Sequence, residues 1–267
     1  MNEDLNIDSQ IYTKGKNNQA ILILNGFAIS IDHTDLLFDY FSRKGFTVAR
    51  PILPGHNGNM EDFKKFGPVD WLAEAKKWLL KLSQEVDEIY IVGISFGSNL
   101  AVSLGIENHP KVKGIVVSEM PIFFSLRMAF ISHFIQPLFQ LLRIDFIKKK
   151  GPLYRKNSID RLGAFAYVPV RVAGEIRNYA KKRTKKELKK LTLPIFILYA
   201  AKSDMVNNCR TTNFICDKIQ GKSELYCVPI NNHDLNILDD ENKIIMLDKI
   251  YQFIVSLSSS HGNSNIY

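Results

Sequence analysis

The chain is poor in residues that build covalent or metal-held scaffolds. It has three cysteines, Cys209, Cys216 and Cys227, an odd number with no C-x-x-C spacing. This argues against a disulfide framework or a cysteine-based zinc site and fits free thiols in a reducing compartment. Long hydrophobic runs are also lacking. A membrane-spanning helix needs about 20 consecutive apolar residues, and the richest stretch, Ile122 to Phe146, is broken by Arg127, His133, Pro137 and Arg143. That stretch reads as two or three amphipathic helices. The first ten residues, MNEDLNIDSQ, are polar and acidic, unlike a secretory signal, so a cytoplasmic location is expected. There are no internal repeats. No nucleic-acid-binding motif and no aromatic ladder accompany the basic residues, so nucleic acid is not an expected partner.

What is present is an ordinary globular composition, with 46% hydrophobic and 23% charged residues in a chain of 267. That length can bury a full core and suggests one large domain, or one domain with an insertion. The net charge of +8 is concentrated at Lys148-Lys149-Lys150 and in the run from Lys181 to Lys190. Such runs are ordinarily solvated helix faces. Bordering an apolar stretch, they also suit peripheral contact with an anionic membrane.

Strand and helix patterns alternate through most of the chain. Ala20 to Leu24, Phe46 to Ala49, Ile89 to Val92, Val112 to Val117, Pro194 to Ala200 and Glu224 to Val228 are short apolar or β-branched runs. Between them, Thr34 to Lys44, Val69 to Ser83 and Thr211 to Ile219 carry apolar residues at helical spacing, as does Asp240 to Leu257. Gly45 closes the first of these helices, and Asp70 is the expected N-cap of the second. A further short strand is expected near Ile11-Tyr12. Short connections and continuous apolar strands predict a mostly parallel sheet covered by helices on both faces. Residues 121–190 break the rhythm and read as a helical insertion ending in a helix from Val170 to Lys190. The core is then 1–120 and 191–257, followed by a Ser/Asn/Gly-rich, disordered tail at 258–267.

One stretch carries a chemical pattern. Gly93-Ile94-Ser95-Phe96-Gly97 follows a strand and precedes a small-residue helix. This is the context of a nucleophile elbow, in which a tight turn exposes the serine hydroxyl above the strand end. A serine hydroxyl needs a base, and the base needs a carboxylate to fix its tautomer. Asp204 lies four residues past the strand ending at Ala200, and His233 five past the strand ending at Val228. Both therefore occupy loops at the carboxyl ends of a parallel sheet, in the order Ser, Asp, His. Glu119, at the end of the strand after the elbow, is an alternative acid, and Asp234, beside the base, is a further rival.

Together these motifs resemble the α/β-hydrolases of the bacterial carboxylesterase and monoacylglycerol-lipase type, the serine aminopeptidase-like or hydrolase-4 group. Pro54-Gly55-His56 is similar to the family's P-G-H loop. Ala201 to Val206 is similar to its acid loop, Asn231-Asn232-His233 to its base loop, and Asn25-Gly26-Phe27 to its H-G-F turn, with Asn25 in place of the histidine. The resemblance implies an α/β-hydrolase fold with a helical cap at 121–190. It also implies catalytic Ser95, Asp204 and His233, and an oxyanion hole made by the backbone N–H groups of Phe27 and Phe96. His56 is expected to be structural, and His33, His109, His133 and His261 match no motif. The expected reaction is hydrolysis of small acyl esters through an acyl-enzyme, with no cofactor and no metal. Thioester hydrolysis, amide or peptide hydrolysis and acyl transfer use the same machinery. A catalytically silent hydrolase fold acting as a binding module is the alternative from another class.

Overall fold

Alternate residues of the first long apolar run face opposite ways, and both faces are covered. Ala20, Leu22 and Leu24 pack into one buried cluster while Ile21 and Ile23 pack into a second. Such two-sided burial is what a strand without polar alternation requires. In the computed structural model the described residues are 10–29, 31–56, 60–131, 134, 136–148 and 167–262. Lys149 and Lys150 of the first basic run, His133, and residues 149–166 lie outside them.

Seven of the described strands form one sheet: β1 (Tyr12–Thr13), β2 (Gln19–Leu24), β3 (Thr47–Ala49), β4 (Glu88–Ile94), β5 (Val112–Ser118), β8 (Ile195–Ala200) and β9 (Ser223–Val228). The order across the sheet is β1-β3-β2-β4-β5-β8-β9, parallel throughout except that β1 runs antiparallel to β3. The mostly parallel, helix-flanked sheet expected from the sequence is the observed one. The chain winds outward from β2 to β3, then crosses back to β4. The switch point therefore lies between β2 and β4, where the carboxyl ends of neighbouring strands leave a crevice in open α/β sheets.

Helices α1 (Asp35–Arg43), α2 (Met60–Phe63), α3 (Pro68–Glu85) and α4 (Phe96–Ile106) belong to the first half of the chain. Trp71, Leu72, Ala75, Leu79 and Leu82 of α3 bury against one face of the sheet, together with Phe96, Leu100 and Leu104 of α4. Leu37, Phe38 and Phe41 of α1 bury against the other, beside Leu247, Ile250, Phe253 and Ile254 of the last helix. Helix α3 begins earlier than its apolar spacing suggests. Pro68 opens it, a position where the missing N–H costs nothing. Asp70 is not the N-cap but sits in the first turn and accepts a 2.9 Å hydrogen bond from the Gly67 N–H.

Between β5 and β8 lie α5 (Leu126–Phe130), α6 (Gln136–Leu141), β6 (Phe146–Lys148), β7 (Tyr167–Pro169) and α7 (Val170–Tyr179). Strands β6 and β7 pair antiparallel, a feature not anticipated in a stretch read as helical. After α7 the chain stays helical to Lys190, passing through a π-helical turn at Ala180–Thr184. Two helices follow β8: α8 (Asn208–Lys218) and α9 (Asp240–Gly262). Helix α9 continues through the first part of the expected disordered tail. The Ser258 hydroxyl there donates to the Glu88 carboxylate at 2.9 Å, which anchors this turn to the amino end of β4.

Candidate active site

The site is built at the switch point. Ser95 joins β4 to α4 with φ 50° and ψ −120°, a conformation that L residues rarely adopt. Crowding at the two flanking glycines accounts for their identity. A Cβ on Gly93 would fall 2.5 Å from the Gly97 carbonyl oxygen, and one on Gly97 would fall 2.0 Å from the Leu24 carbonyl oxygen. The turn is tied to the next strand as well. The Ser95 N–H donates to the Ser118 carbonyl at 2.7 Å, and the buried Ser98 hydroxyl lies 2.8 Å from the Gly93 carbonyl and 3.0 Å from that of Ser118.

His233 reaches this turn from the loop after β9. Its Nε2 lies 2.8 Å from the Ser95 Oγ. The loop is braced by its own polar side chains. Asn232 Oδ1 accepts from the Asp234 N–H at 2.9 Å, and Asp234 Oδ1 accepts from the Asn236 N–H at 3.0 Å. Asn236 Nδ2 also donates to the His33 carbonyl at 3.1 Å, which pins the loop to the segment before α1.

The carboxylate on the far side of the imidazole is that of Glu119. Its Oε2 lies 3.0 Å from His233 Nδ1. Glu119 is the residue after β5, has φ 51° and is 1% exposed. Its second oxygen, Oε1, accepts from the Ala200 N–H at 2.6 Å and from Asn208 Nδ2 at 2.8 Å. Three nitrogens thus converge on one buried carboxyl group and give its oxygens the hydrogen-bond partners that burial takes from water.

Asp204, the first choice of acid from the sequence, is not in this arrangement. It is exposed, and its backbone carbonyl accepts from the Ser125 hydroxyl at 2.7 Å. Its neighbour Ser203 is the part of that loop facing the imidazole, with Oγ 3.4 Å from His233 Nδ1. The Met205 and Val206 N–H groups donate to that same Oγ at 3.4 and 3.2 Å. They fold the loop around Ser203 and turn the Asp204 side chain out.

The other wall of the crevice is the turn after β2. A Cβ on Gly26 would lie 3.1 Å from the Ser95 Cβ, so this turn passes directly beside the nucleophile position. Asn25 is buried, and its Nδ2 donates to the Ile29 carbonyl at 3.1 Å, bracing the turn from inside. The Ala28 N–H donates to His56 Nε2 at 3.3 Å, which gives the P-G-H histidine a supporting role. The rings of Phe27 and Phe96 both pack on Trp71, with centroids 6.0 and 5.7 Å away. His56 and Phe63 stand edge-on to each other within the same aromatic group, 4.8 Å apart. One buried indole therefore sets the spacing of the two residues whose amides the resemblance assigns to the oxyanion.

Asn208 and Ser203 are functional candidates that the sequence does not single out. The available signal is the asparagine pair Asn207-Asn208 opening a helix. It reads as a capping pattern, and Asn207 does cap α8 by accepting from the Arg210 N–H at 3.1 Å. Among the described residues no group of three or more His, Cys, Asp or Glu side chains could hold a metal ion. No helix among them is long and apolar enough to cross a membrane.

Known proteins match both the sequence and the fold. A thermostable monoacylglycerol lipase of Bacillus sp. strain H-257 is 31% identical over 97 residues, 36% of this chain and 38% of that protein. A carboxylesterase of Bacillus subtilis strain 168 is 29% identical over 100 residues, 37% of this chain and 40% of that one. The matched segments thus span well under half the length of these curated relatives. Among solved structures, one from the work on the metagenome-derived lipolytic enzymes LipS and LipT superposes with a TM-score of 0.78 at 20% identity, over 92% of this chain and 96% of that one. A soluble variant of the monoglyceride lipase of Saccharomyces cerevisiae, solved with a substrate analogue, superposes with a TM-score of 0.75 at 14% identity, over 90% and 87%. At such identities the superpositions speak for the fold, which is that of the α/β-hydrolases. The serine aminopeptidase, S33 family matches residues 15–238, most of the length, and the chain belongs to it.

Proposed function

We propose that the protein is a serine hydrolase of small carboxylic esters, with Ser95 as nucleophile, His233 as base and Glu119 as acid. The observation that carries this reading is the unbroken relay from the Ser95 Oγ to His233 Nε2 at 2.8 Å and from His233 Nδ1 to Glu119 Oε2 at 3.0 Å. With the Nδ1 proton held by Glu119, Nε2 is free to take the Ser95 proton as the hydroxyl attacks an acyl carbonyl. The Phe27 and Phe96 N–H groups, flanking the serine, receive the developing oxyanion, where a single donor contributes about 3 kcal/mol. His233 then hands the proton to the departing alkoxide, which leaves as the alcohol. Water, deprotonated by the same imidazole, attacks the acyl-enzyme and restores Ser95. Nothing in this cycle calls for a metal or an organic cofactor.

Ester chemistry is favoured over amide chemistry by the lipase and carboxylesterase relatives, and the arrangement of the three side chains serves either. The test is a panel of p-nitrophenyl esters of increasing acyl length, acyl thioesters and aminoacyl amides, with fluorophosphonate labelling of wild type and Ser95→Ala. Turnover of the short esters and labelling lost in Ser95→Ala are expected. Turnover of aminoacyl amides alone removes the esterase assignment, and folded wild type that does not label removes the hydrolase reading in favour of a silent binding module.

A second reading concerns location. Leu126, Phe130, Phe134, Leu138 and Leu142 recur at every fourth position and are all exposed, as is Leu141. No Asp or Glu occurs between Met120 and Ile144, while Arg127 and Arg143 stand exposed along the same stretch. An apolar ladder whose intervening charges, Arg127 and Arg143, are cationic suits the surface of an anionic bilayer. Sedimentation with anionic vesicles, absent with zwitterionic ones and lost in Leu126→Asp/Phe134→Asp, is the expected outcome. Binding to neither vesicle overturns it, as does a concentration-dependent dimer abolished by the same substitutions, since a second copy then covers the face.

A further inference from the structure

The acid of this site is held from behind by a side chain on a different element. Asn208, the first residue of α8, is 8% exposed. Its Nδ2 donates to Glu119 Oε1 at 2.8 Å and to the Ala200 carbonyl, also at 2.8 Å. The Ala200 N–H donates to the same Oε1 at 2.6 Å. The two groups of Ala200 and the Asn208 amide therefore close a small ring around Oε1, at the carboxyl end of β8. With Oε1 occupied twice, Oε2 is the oxygen left for His233.

We propose that Asn208 is a positioning residue of the triad, whose amide locks the Glu119 carboxylate in the rotamer that presents Oε2 to His233. This rests on the Ser95–His233–Glu119 reading above. The residue type follows from the chemistry. The position requires two N–H donors on one nitrogen, one for a carboxylate and one for a carbonyl, and no charge. Serine supplies a single donor. Leucine supplies none and takes this partner away from the Ala200 carbonyl. Aspartate sets a second carboxylate against Glu119, and two carboxylates in contact cannot both ionise readily.

Asn208 also opens a helix, which offers a purely structural explanation of its presence, and Asn208→Asp separates the two. In the first turn of a helix, behind the Asn207 cap, an aspartate is at least as good as an asparagine, so a role confined to the helix start predicts unchanged or improved melting and activity. The positioning role predicts that kcat, normalised to fluorophosphonate-titrated sites, falls about 10- to 100-fold in Asn208→Ala with KM little changed. It predicts a larger fall in Asn208→Asp at neutral pH. That deficit, taken as a ratio to wild type, shrinks as pH falls, because the introduced carboxyl, once protonated, can again donate to Glu119. Glu119 and His233 are the titratable side chains that share this network.

Activity of Asn208→Asp equal to wild type, or a loss in Asn208→Ala that vanishes on normalising to titrated sites, overturns the proposal. A readout without substrate keeps this apart from the question of activity. The His233 Nδ1–H proton resonance, expected at low field in wild type, should shift or broaden in Asn208→Ala while Tm is retained. An unchanged resonance refutes the positioning role even if no ester is ever turned over, whereas inactivity of wild type on every acyl substrate touches only the proposed function.

Discussion

Exchanging one oxygen of Glu119 for nitrogen is the sharpest perturbation of this site. A carboxylate accepts from all three of its donors: the Ala200 N–H, Asn208 Nδ2 and His233 Nδ1. Glutamine has a single acceptor oxygen. If that oxygen stays with the two donors at the Oε1 position, the new NH2 points at His233 Nδ1. The imidazole must then accept there and carry its proton on Nε2, 2.8 Å from the Ser95 Oγ. In that tautomer it cannot take the serine proton. If the amide turns over instead, two buried donors lose their acceptor, at about 1–3 kcal/mol each, so the tautomer change is the cheaper outcome. Loss of the correct tautomer in a serine triad costs about 10⁴ in kcat, equivalent to about 5.4 kcal/mol of barrier at 1.36 kcal/mol per decade. Glu119→Gln should therefore lose about three to four decades of kcat on a short p-nitrophenyl ester, with KM changing little. Asp204→Asn, exposed and without a contact to the imidazole, should stay within about threefold of wild type, as surface substitutions do. The assay is steady-state hydrolysis, with circular dichroism and Tm to certify the fold. A decade-scale loss in Asp204→Asn, or a Glu119→Gln enzyme within tenfold of wild type, refutes the assignment of the acid.

His56→Leu removes the imidazole acceptor of the Ala28 N–H beside the oxyanion turn, and kcat should fall about tenfold with Tm lowered by a few degrees. Trp71→Ala empties the fully buried site between Phe27 and Phe96, and urea unfolding should report a loss of about 3–5 kcal/mol together with reduced kcat. Burial raises the pKa of Glu88, but hydrogen bonds from Gln19, Ser258 and Tyr90 and the charge of Lys113 more than offset it and hold the carboxyl below its ordinary value. A depressed folded value gives stability that is present above the unfolded value, about 4.3, and is lost as pH falls through the folded one. Glu88→Gln should accordingly lower stability at neutral pH and flatten its decline on the acid side, read as urea midpoints across roughly pH 2.5–6; an unaltered acid slope counts against this network.

The sheet was legible because its central strands are continuous apolar runs, and burial on both faces leaves few other ways to place Ala20 to Leu24 or Ile89 to Val92. The pairing of β6 with β7 was not, since Phe146–Lys148 and Tyr167–Pro169 are too short to show a period and sit far apart in sequence. At the site, the positions of Ser95 and His233 were legible because each lies just past a strand end, and strand ends are readable. The carboxylate beside His233 was harder. Asp204 satisfies the same spacing rule, yet the direction of its side chain depends on a turn closed by Ser203 and two backbone amides, and a motif does not record where a turn points. Glu119 takes the position under the imidazole because it leaves β5 with a positive φ, and nothing in Ser118-Glu119-Met120 announces that conformation. Asn208 was masked because it lies three residues before the helix expected from Thr211, in a loop where an asparagine is an ordinary turn residue.

The position of Glu119 just past β5 has a consequence for how the proposed hydrolase can change. On the proposed roles, the acid follows the strand next to the one that leads into the nucleophile turn, in the middle of the sheet, and is laced to a third strand through Ala200. The segment Ala201–Val206 is then released from supplying a reacting group. Recoding the exposed part of that segment, so long as Ser203, the buried Val206 and the start of α8 are kept, alters the loop and not the proton path. A library confined to Asp204 and Met205, which spares the buried Val206, tests whether this loop tunes acyl preference while the proton path stays in place.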